Sequence, residues 1–244
     1  KILTVNASKT TSPGSSGSTM PRDRYQHSLD ELRADVLTMG ETVAERLDES
    51  LEALERRDDA LAEAVIDGDA QVNETYLRLE EQCVDLFALQ QPVAGDLRFV
   101  TASFKIITDL ERIGDLAVNL ANYALAARQT VTPDVEIGAL GTAAHSLVER
   151  SLAAYETEEA ATCRTVAAAD DEVDARCQHA NEHVTRALIA RTDGDDDRWG
   201  VERLLDDVSR VLLTIRDLER VADHAVNIAA RTLYMIESDP ELLY

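Results

Sequence analysis

The chain has 244 residues, of which 45% are hydrophobic and only 4% aromatic, and its formal net charge is -23 at pH 7. A surface this acidic repels nucleic-acid backbones and anionic lipid, so neither is an expected partner. No apolar run approaches the length of a membrane span and no secretory signal is recognisable, so direct membrane insertion is not expected either.

Residues 1–19 are rich in Ser, Thr and Gly and free of acid. They read as a flexible leader or a non-native extension ahead of a native start at Met20, and contribute nothing to the fold reasoning. From there on, apolar residues recur at spacings of three and four rather than two, so the expected fold class is all-α. Ser28-Leu-Asp-Glu31 has the form of a capping box and is expected to open the first helix. Leu29, Leu32, Val36, Val43, Leu47, Leu51 and Leu54 then form its apolar stripe. Gly68 interrupts the tract, and Asp69 is placed to cap a second helix running to about Gln90. Pro92 ends that helix, and Gly95-Asp96 opens a third that lasts to about Arg128, roughly 48 Å at the helical rise.

Thr130 to Pro133 reads as a linker, and the pattern then repeats. A helix is expected over 135–156, a short link over 160–168, and a helix from Asp170 to about Arg191. The charged turn Gly194-Asp-Asp-Asp197 follows, and then a long helix through Glu237. Short connections between long amphipathic helices make antiparallel neighbours. The expectation is six helices forming two pseudo-symmetric three-helix bundles, over residues 20–129 and 134–240.

An internal repeat carries the chemistry. Asp109-Leu-Glu-Arg-Ile-Gly-Asp115-Leu-Ala-Val-Asn119 reappears as Asp217-Leu-Glu-Arg-Val-Ala-Asp223-His-Ala-Val-Asn227. Burial alone would preserve apolar spacing, not a pattern of carboxylates. At 100° per residue Glu111 and Asp115 share one helix face, opposite the core face of Ile106, Ile113, Leu120 and Ala124. Antiparallel pairing across the Gln90–Val93 turn brings Asp69 and Asn73 opposite Glu111 and Asp115. The same pairing in the second half sets Asp170 and Asp174 against Glu219 and Asp223. Each half thus presents four oxygen-bearing side chains across a helix–helix groove, a donor set suited to iron, manganese, magnesium or calcium. In a chain with 47 acidic residues, an incidental solvated acidic face is the alternative. His179 and His183 have metal-pair spacing but project away from the Asp170/Asp174 face. Cys177 shares that face and reads as packing. Phosphate-binding glycine loops and a nucleophile–base pair are not found.

Val65-Ile-Asp-Gly-Asp69 with Val72-Asn73, then Gln90-Gln-Pro-Val-Ala-Gly-Asp-Leu-Arg98, and the two LERxxDxAxN copies occur in that order. Together they resemble the PhoU family of phosphate-uptake regulators, from about Arg22 to Tyr234. The resemblance implies two three-helix bundles and regulation rather than catalysis. It implies partners too: the phosphate ABC transporter through its ATPase subunit, a phosphate-sensing histidine kinase, and a second copy in a homodimer. It further implies a metal role for Glu111 with Asp115 and Glu219 with Asp223, and by extension for Asp69, Asn73, Asp170 and Asp174. The chain departs from its own first-half pattern where Gly194-Asp-Asp-Asp-Arg-Trp199 replaces the Gln-Gln-Pro turn. Rival readings are a metal-free helical scaffold and a carboxylate-bridged di-metal enzyme. No His stands three residues after an acid, as the enzyme's Glu-x-x-His pairs would need.

Cys83, Cys163 and Cys177 are odd in number and lack zinc-finger or CxxC spacing, which fits free thiols in a reducing cytosol. Lys occurs only at positions 1, 9 and 105. An acid-rich, Lys-poor surface points to work in concentrated salt, with an ordinary acidic cytosolic protein as the alternative. On the halophilic reading the melting temperature rises as KCl goes from dilute to molar, because screening weakens the self-repulsion. A melting temperature independent of KCl would reject it.

Overall fold

The computed structural model describes residues 21–89, 94–127, 136–192 and 198–242, and these form α-helices without strands. The expected leader 1–19, the Gln90–Val93 turn, the Thr130–Pro133 linker and the Gly194–Asp197 turn lie outside the described residues. In chain order the helices are α1 Pro21–Arg56, α2 Asp59–Asp67, α3 Asp69–Leu89, α4 Ala94–Ala126, α5 Ile137–Thr157, α6 Ala160–Thr192 and α7 Arg198–Glu237. Helices α1, α2–α3 and α4 pack as one three-helix bundle; α5, α6 and α7 pack as the other.

Three helix boundaries differ from the sequence reading. Ser28 does not cap α1, which begins at Pro21 among the described residues, and Ser28 Oγ donates to Arg24 O one turn back. Buried Tyr25 extends the apolar stripe of Leu29 and Leu32 by a turn, so the helix continues through the apparent capping box. A proline in the first turn loses no hydrogen bond. Asp69 does not cap the second arm. Arg57, at φ 56°, turns the chain, and the Asp58 carboxylate accepts from the amides of Ala60 and Leu61 at 3.1 Å. Gly68 keeps right-handed dihedrals, so α2 and α3 form a nearly continuous arm. A Cβ at Gly68 would lie 1.6 Å from the Arg46 guanidinium, so this glycine makes room for Arg46 rather than turning the chain.

The link expected over 160–168 is helical as well, since α6 starts at Ala160, just after Glu158 turns the chain at φ 53°. Cys163, Val166, Val173, Cys177 and Val184 continue one buried stripe through it. From the sequence, helix starts are expected at the Gly-Asp and Ala-Asp junctions; α3 does begin at Asp69, but Asp170 lies inside α6. The actual turns lie about ten residues earlier, at residues that carry side chains into left-handed dihedrals.

The two bundles share one continuous core. Central helices α4 and α7 pack against each other, and α1 crosses α5. The α1–α5 crossing repeats the internal symmetry. A Cβ on Gly40 would lie 2.4 Å from Leu152 Cδ2, and one on Gly141 would lie 2.5 Å from Leu51 Cδ2. Each glycine receives the leucine of the other bundle. Buried Ser50 and Ser151 flank the crossing and donate back to Leu47 O and Val148 O.

Gly40→Ala should therefore destabilise the protein by about 1–3 kcal/mol through overpacking. Paired with Leu152→Ala, it should cost about 1 kcal/mol or more less than the sum of the single effects. Urea unfolding of the four proteins measures this coupling, and additivity would show that the crossing is not packed as described.

Candidate metal-binding grooves

Helix α4 buries Ile106, Ile113, Leu120 and Ala124, as its periodicity requires. Glu111 and Asp115 consequently face outward, the first half-buried and the second exposed. In α7, Glu219 and Asp223 reproduce this pair: one half-buried, one exposed. Helix α3 lies along α4 and helix α6 along α7.

The facing acids lie near enough for their charges to act on one another. Partial loss of water at the groove raises the Asp115 carboxyl from its ordinary value, and the nearby charge of Asp69 raises it further. Glu111 is raised by burial, then by Asp115 and Asp69, while Arg112 and His224 act against this. In the second groove burial and the Asp174 charge raise both Glu219 and Asp223. Asp170 is shifted most, to about 6, by burial followed by the charges of Asp174, Asp223, Asp171 and Glu219. The structure thus sets Asp69 near Glu111 and Asp115, with Asn73 hydrogen-bonded to Asp69, and Asp170 and Asp174 near Glu219 and Asp223.

The opposition survives the different hairpin of the second half for a geometric reason. Asp69 and Asn73 precede Asp170 and Asp174 by 101 residues, whereas Glu111 and Asp115 precede Glu219 and Asp223 by 108. The seven additional residues lengthen the α6–α7 hairpin. They are shared between the two antiparallel arms and their connection, and seven residues are close to two whole turns, so facing residues can keep their face.

The two grooves differ in charge. In the first, Asn73 Nδ2 donates to Asp69 Oδ2 at 2.8 Å, so an amide satisfies one carboxylate. In the second Asp174 replaces the amide, and Asp170 Oδ1 is buried without a hydrogen-bond partner. Anionic oxygens under mutual repulsion, one of them orphaned, form a donor set that a hard cation would satisfy. Among the described residues no group of three or more His, Cys, Asp or Glu side chains is placed to hold a metal ion as they stand. A cation bound here would draw the facing carboxylates together or retain water in its coordination shell.

The remaining residues of the repeat do different work. Asp109 accepts from His224 Nδ1 at 2.9 Å and from Asn227 Nδ2 at 3.4 Å, both on α7. Asp217 is fully buried; it accepts from Tyr123 Oη on α4 at 2.9 Å, with Arg216 and Arg220 beside it. The first aspartate of each copy therefore joins the two bundles. Helical spacing alone does not reveal this division, although adjacent helical residues lie 100° apart, which sets His224 off the Asp223 face. His179 and His183 are exposed, and the buried Cys177 thiol is pushed up to about 12 by burial.

Comparison with known proteins agrees with this architecture. The PhoU domain matches residues 36–124 and 137–232, one copy for each bundle. The phosphate-specific transport system accessory protein PhoU homolog of Clostridium acetobutylicum is 30% identical over 89% of this chain and 96% of its own length. The homolog of Methanothermobacter thermautotrophicus is 29% identical over 88% and 95%. The crystal structure of PhoU from Pseudomonas aeruginosa superposes with a TM-score of 0.79 at 30% identity, covering 88% of this chain and all of that one. The phosphate transport system regulatory protein PhoU from Streptococcus pneumoniae gives 0.78 at 26% identity, covering 88% and 98%. With both of its bundles matched by the domain and its whole fold shared with these structures, the chain belongs to the PhoU family.

Proposed function

We propose that this protein regulates phosphate uptake and phosphate signalling as a metal-binding adaptor on the phosphate ABC transporter. The names of its relatives support the transport role. The observation that carries the metal-binding part is the pair of facing carboxylate grooves, above all Asp170 and Asp174 against Glu219 and Asp223. Iron, manganese or magnesium would be held by Asp69, Asn73, Glu111 and Asp115 in one groove and by the four acids of the other. The ion would neutralise their repulsion and lock α3 to α4 and α6 to α7. This is the role of a regulator and not of an enzyme.

The proposed partners are the transporter's ATPase subunit, a phosphate-sensing histidine kinase and a second copy of the chain. All of these are protein contacts, which an acidic surface permits. Among the described residues no helix is long and apolar enough to cross a membrane. Exposed Leu77 and Val84, seven residues apart on α3, give a partner apolar surface on the same arm that carries Asp69. The acidic, Lys-poor surface fits a protein of a salt-rich cytoplasm.

Metal and proton should compete. The groove carboxylates have raised pKa values, so the metal-free folded state binds protons more tightly than the unfolded chain. Its stability should fall as pH rises from about 4 through 6 and should recover on acidification. Saturating Mn²⁺ should reverse that slope, because acid then expels the ion. In chelator at neutral pH, Asp170→Asn should be more stable than the native protein by about 0.5–1 kcal/mol, the range left after solvent screening. It should also lose most of the Mn²⁺-induced rise in melting temperature. Thermal melts across pH, with chelator and with Mn²⁺, read all of this. Metal-independent melts in both proteins would remove the metal from the proposal.

Co-purification tests the adaptor role. The ATPase subunit should be retained by the native protein at low or high phosphate. Its recovery should drop at least about tenfold for Glu111→Ala/Asp115→Ala combined with Glu219→Ala/Asp223→Ala. Absence of enrichment at both phosphate levels would eliminate the proposed partner.

A further inference from the structure

Three of the five histidines face a carboxylate. His27 lies 3.3 Å from Glu31, His145 lies 3.7 Å from Glu149 and His224 lies 2.9 Å from Asp109. The other two, His179 and His183, are exposed on α6, and among the described residues neither faces an acid. Acids on the same stretch of helix are committed elsewhere. Glu172 and Glu182 form i, i+4 ion pairs with Arg176 and Arg186, and Asp170 and Asp174 lie in the second groove. The two arginines flanking the histidines are thereby neutralised, and the ring nitrogens stay open to an added ligand.

Helix geometry sets the two imidazoles side by side. Residues four apart share one face, with Cβ atoms about 6 Å from each other, so both rings can reach one point above the turn between them. Helix α6 runs from Ala160 to Thr192, so its backbone hydrogen bonds fix that spacing in the middle of a long element. His179 stands nine residues beyond Asp170, half a revolution around the helix. The pair therefore occupies the far side of α6 from the second groove.

The donor atoms differ from those of the grooves as well. Neutral imidazole suits Zn²⁺, Ni²⁺ and Cu²⁺, whereas carboxylate oxygens suit Mg²⁺, Ca²⁺ and Mn²⁺. Two imidazoles fill two coordination positions and leave the others to water or to a donor on a partner. The internal repeat has no second copy of the pair. The equivalent residues of α3 are Arg78 and Gln82, and Arg78 pairs with Asp35 on α1 at 2.9 Å.

We propose that His179 and His183 form a bidentate site for one borderline divalent cation, of the Zn²⁺, Ni²⁺ or Cu²⁺ kind, on the outer face of α6. The site is separate from the carboxylate grooves and does not depend on the phosphate-regulator reading. An ion held across one turn of α6 binds the helical state alone, and so stabilises it.

Calorimetric titration of the full chain with Ni²⁺ tests the site. Excess Mg²⁺ is present throughout, because it competes for oxygen donors and leaves imidazole free. The native chain should bind one Ni²⁺ saturably, with a rise in melting temperature. His179→Ala and His183→Ala should each weaken that binding at least about tenfold. Asn181→His combined with His183→Ala keeps two histidines but sets them two residues apart, on different faces. It should bind as weakly as the single variants. With Cu²⁺, electron paramagnetic resonance should show coupling to two ring nitrogens in the native chain and to one in each single variant. The site is rejected if the native protein shows no saturable Ni²⁺ binding. Native-like affinity in either single variant, or in the variant with altered spacing, would reject it as well.

Discussion

The packing of α4 against α7 is the constraint on which the rest of the molecule depends. These two helices carry the duplicated segment, and each copy reaches across to the other. Asp109 takes hydrogen bonds from His224 and Asn227, and Asp217 takes one from Tyr123. Asp217 is fully buried, so its charge is tolerable only because a phenol and two arginines surround it. Removing these partners together would leave an uncompensated buried charge, which is strongly destabilising. The central pair is thereby fixed in rotation and in level, and every outward-facing acid on it is fixed with it.

From that fixed pair the two grooves follow. Once α4 and α7 commit their inner faces to each other and to the core, Glu111, Asp115, Glu219 and Asp223 can only point toward the flanks where α3 and α6 lie. The duplicated segment therefore divides its polar residues between two tasks: the leading aspartate binds the bundles together, and the following Glu and Asp build an outer surface. The seven residues by which the second hairpin is longer leave this arrangement intact, because they amount to about two whole turns shared over the hairpin. Duplication has also allowed the copies to diverge. Asn73 quiets the first groove where Asp174 charges the second, and a histidine pair on α6 stands where α3 has Arg78 and Gln82.

Much of this was legible in the order of residues. The 3.6-residue period, the repeat and the i, i+4 carboxylates are local properties, and antiparallel pairing across short connections extends them to the facing arms. The helix boundaries were less legible. Ser28 has the chemistry of a cap but lies inside α1, and Asp170 lies inside α6, because apolar stripes continue past them and tertiary burial outweighs a local cap worth about 1 kcal/mol. The real turns at Arg57 and Glu158 carry no glycine, so nothing in their composition announces left-handed dihedrals.

The sequence by itself determined the helical class, the duplication and the core face of each central helix, and it nominated eight oxygen-bearing residues for the grooves, since all of these follow from periodicity and spacing. Only the tertiary structure decided what each polar residue of the repeat touches. The angle and level at which α4 meets α7, and α1 meets α5, arise from packing between distant segments. Gly40 receiving Leu152 and Asp109 meeting His224 are both consequences of that meeting. No local spacing encodes them, because each joins residues about a hundred positions apart.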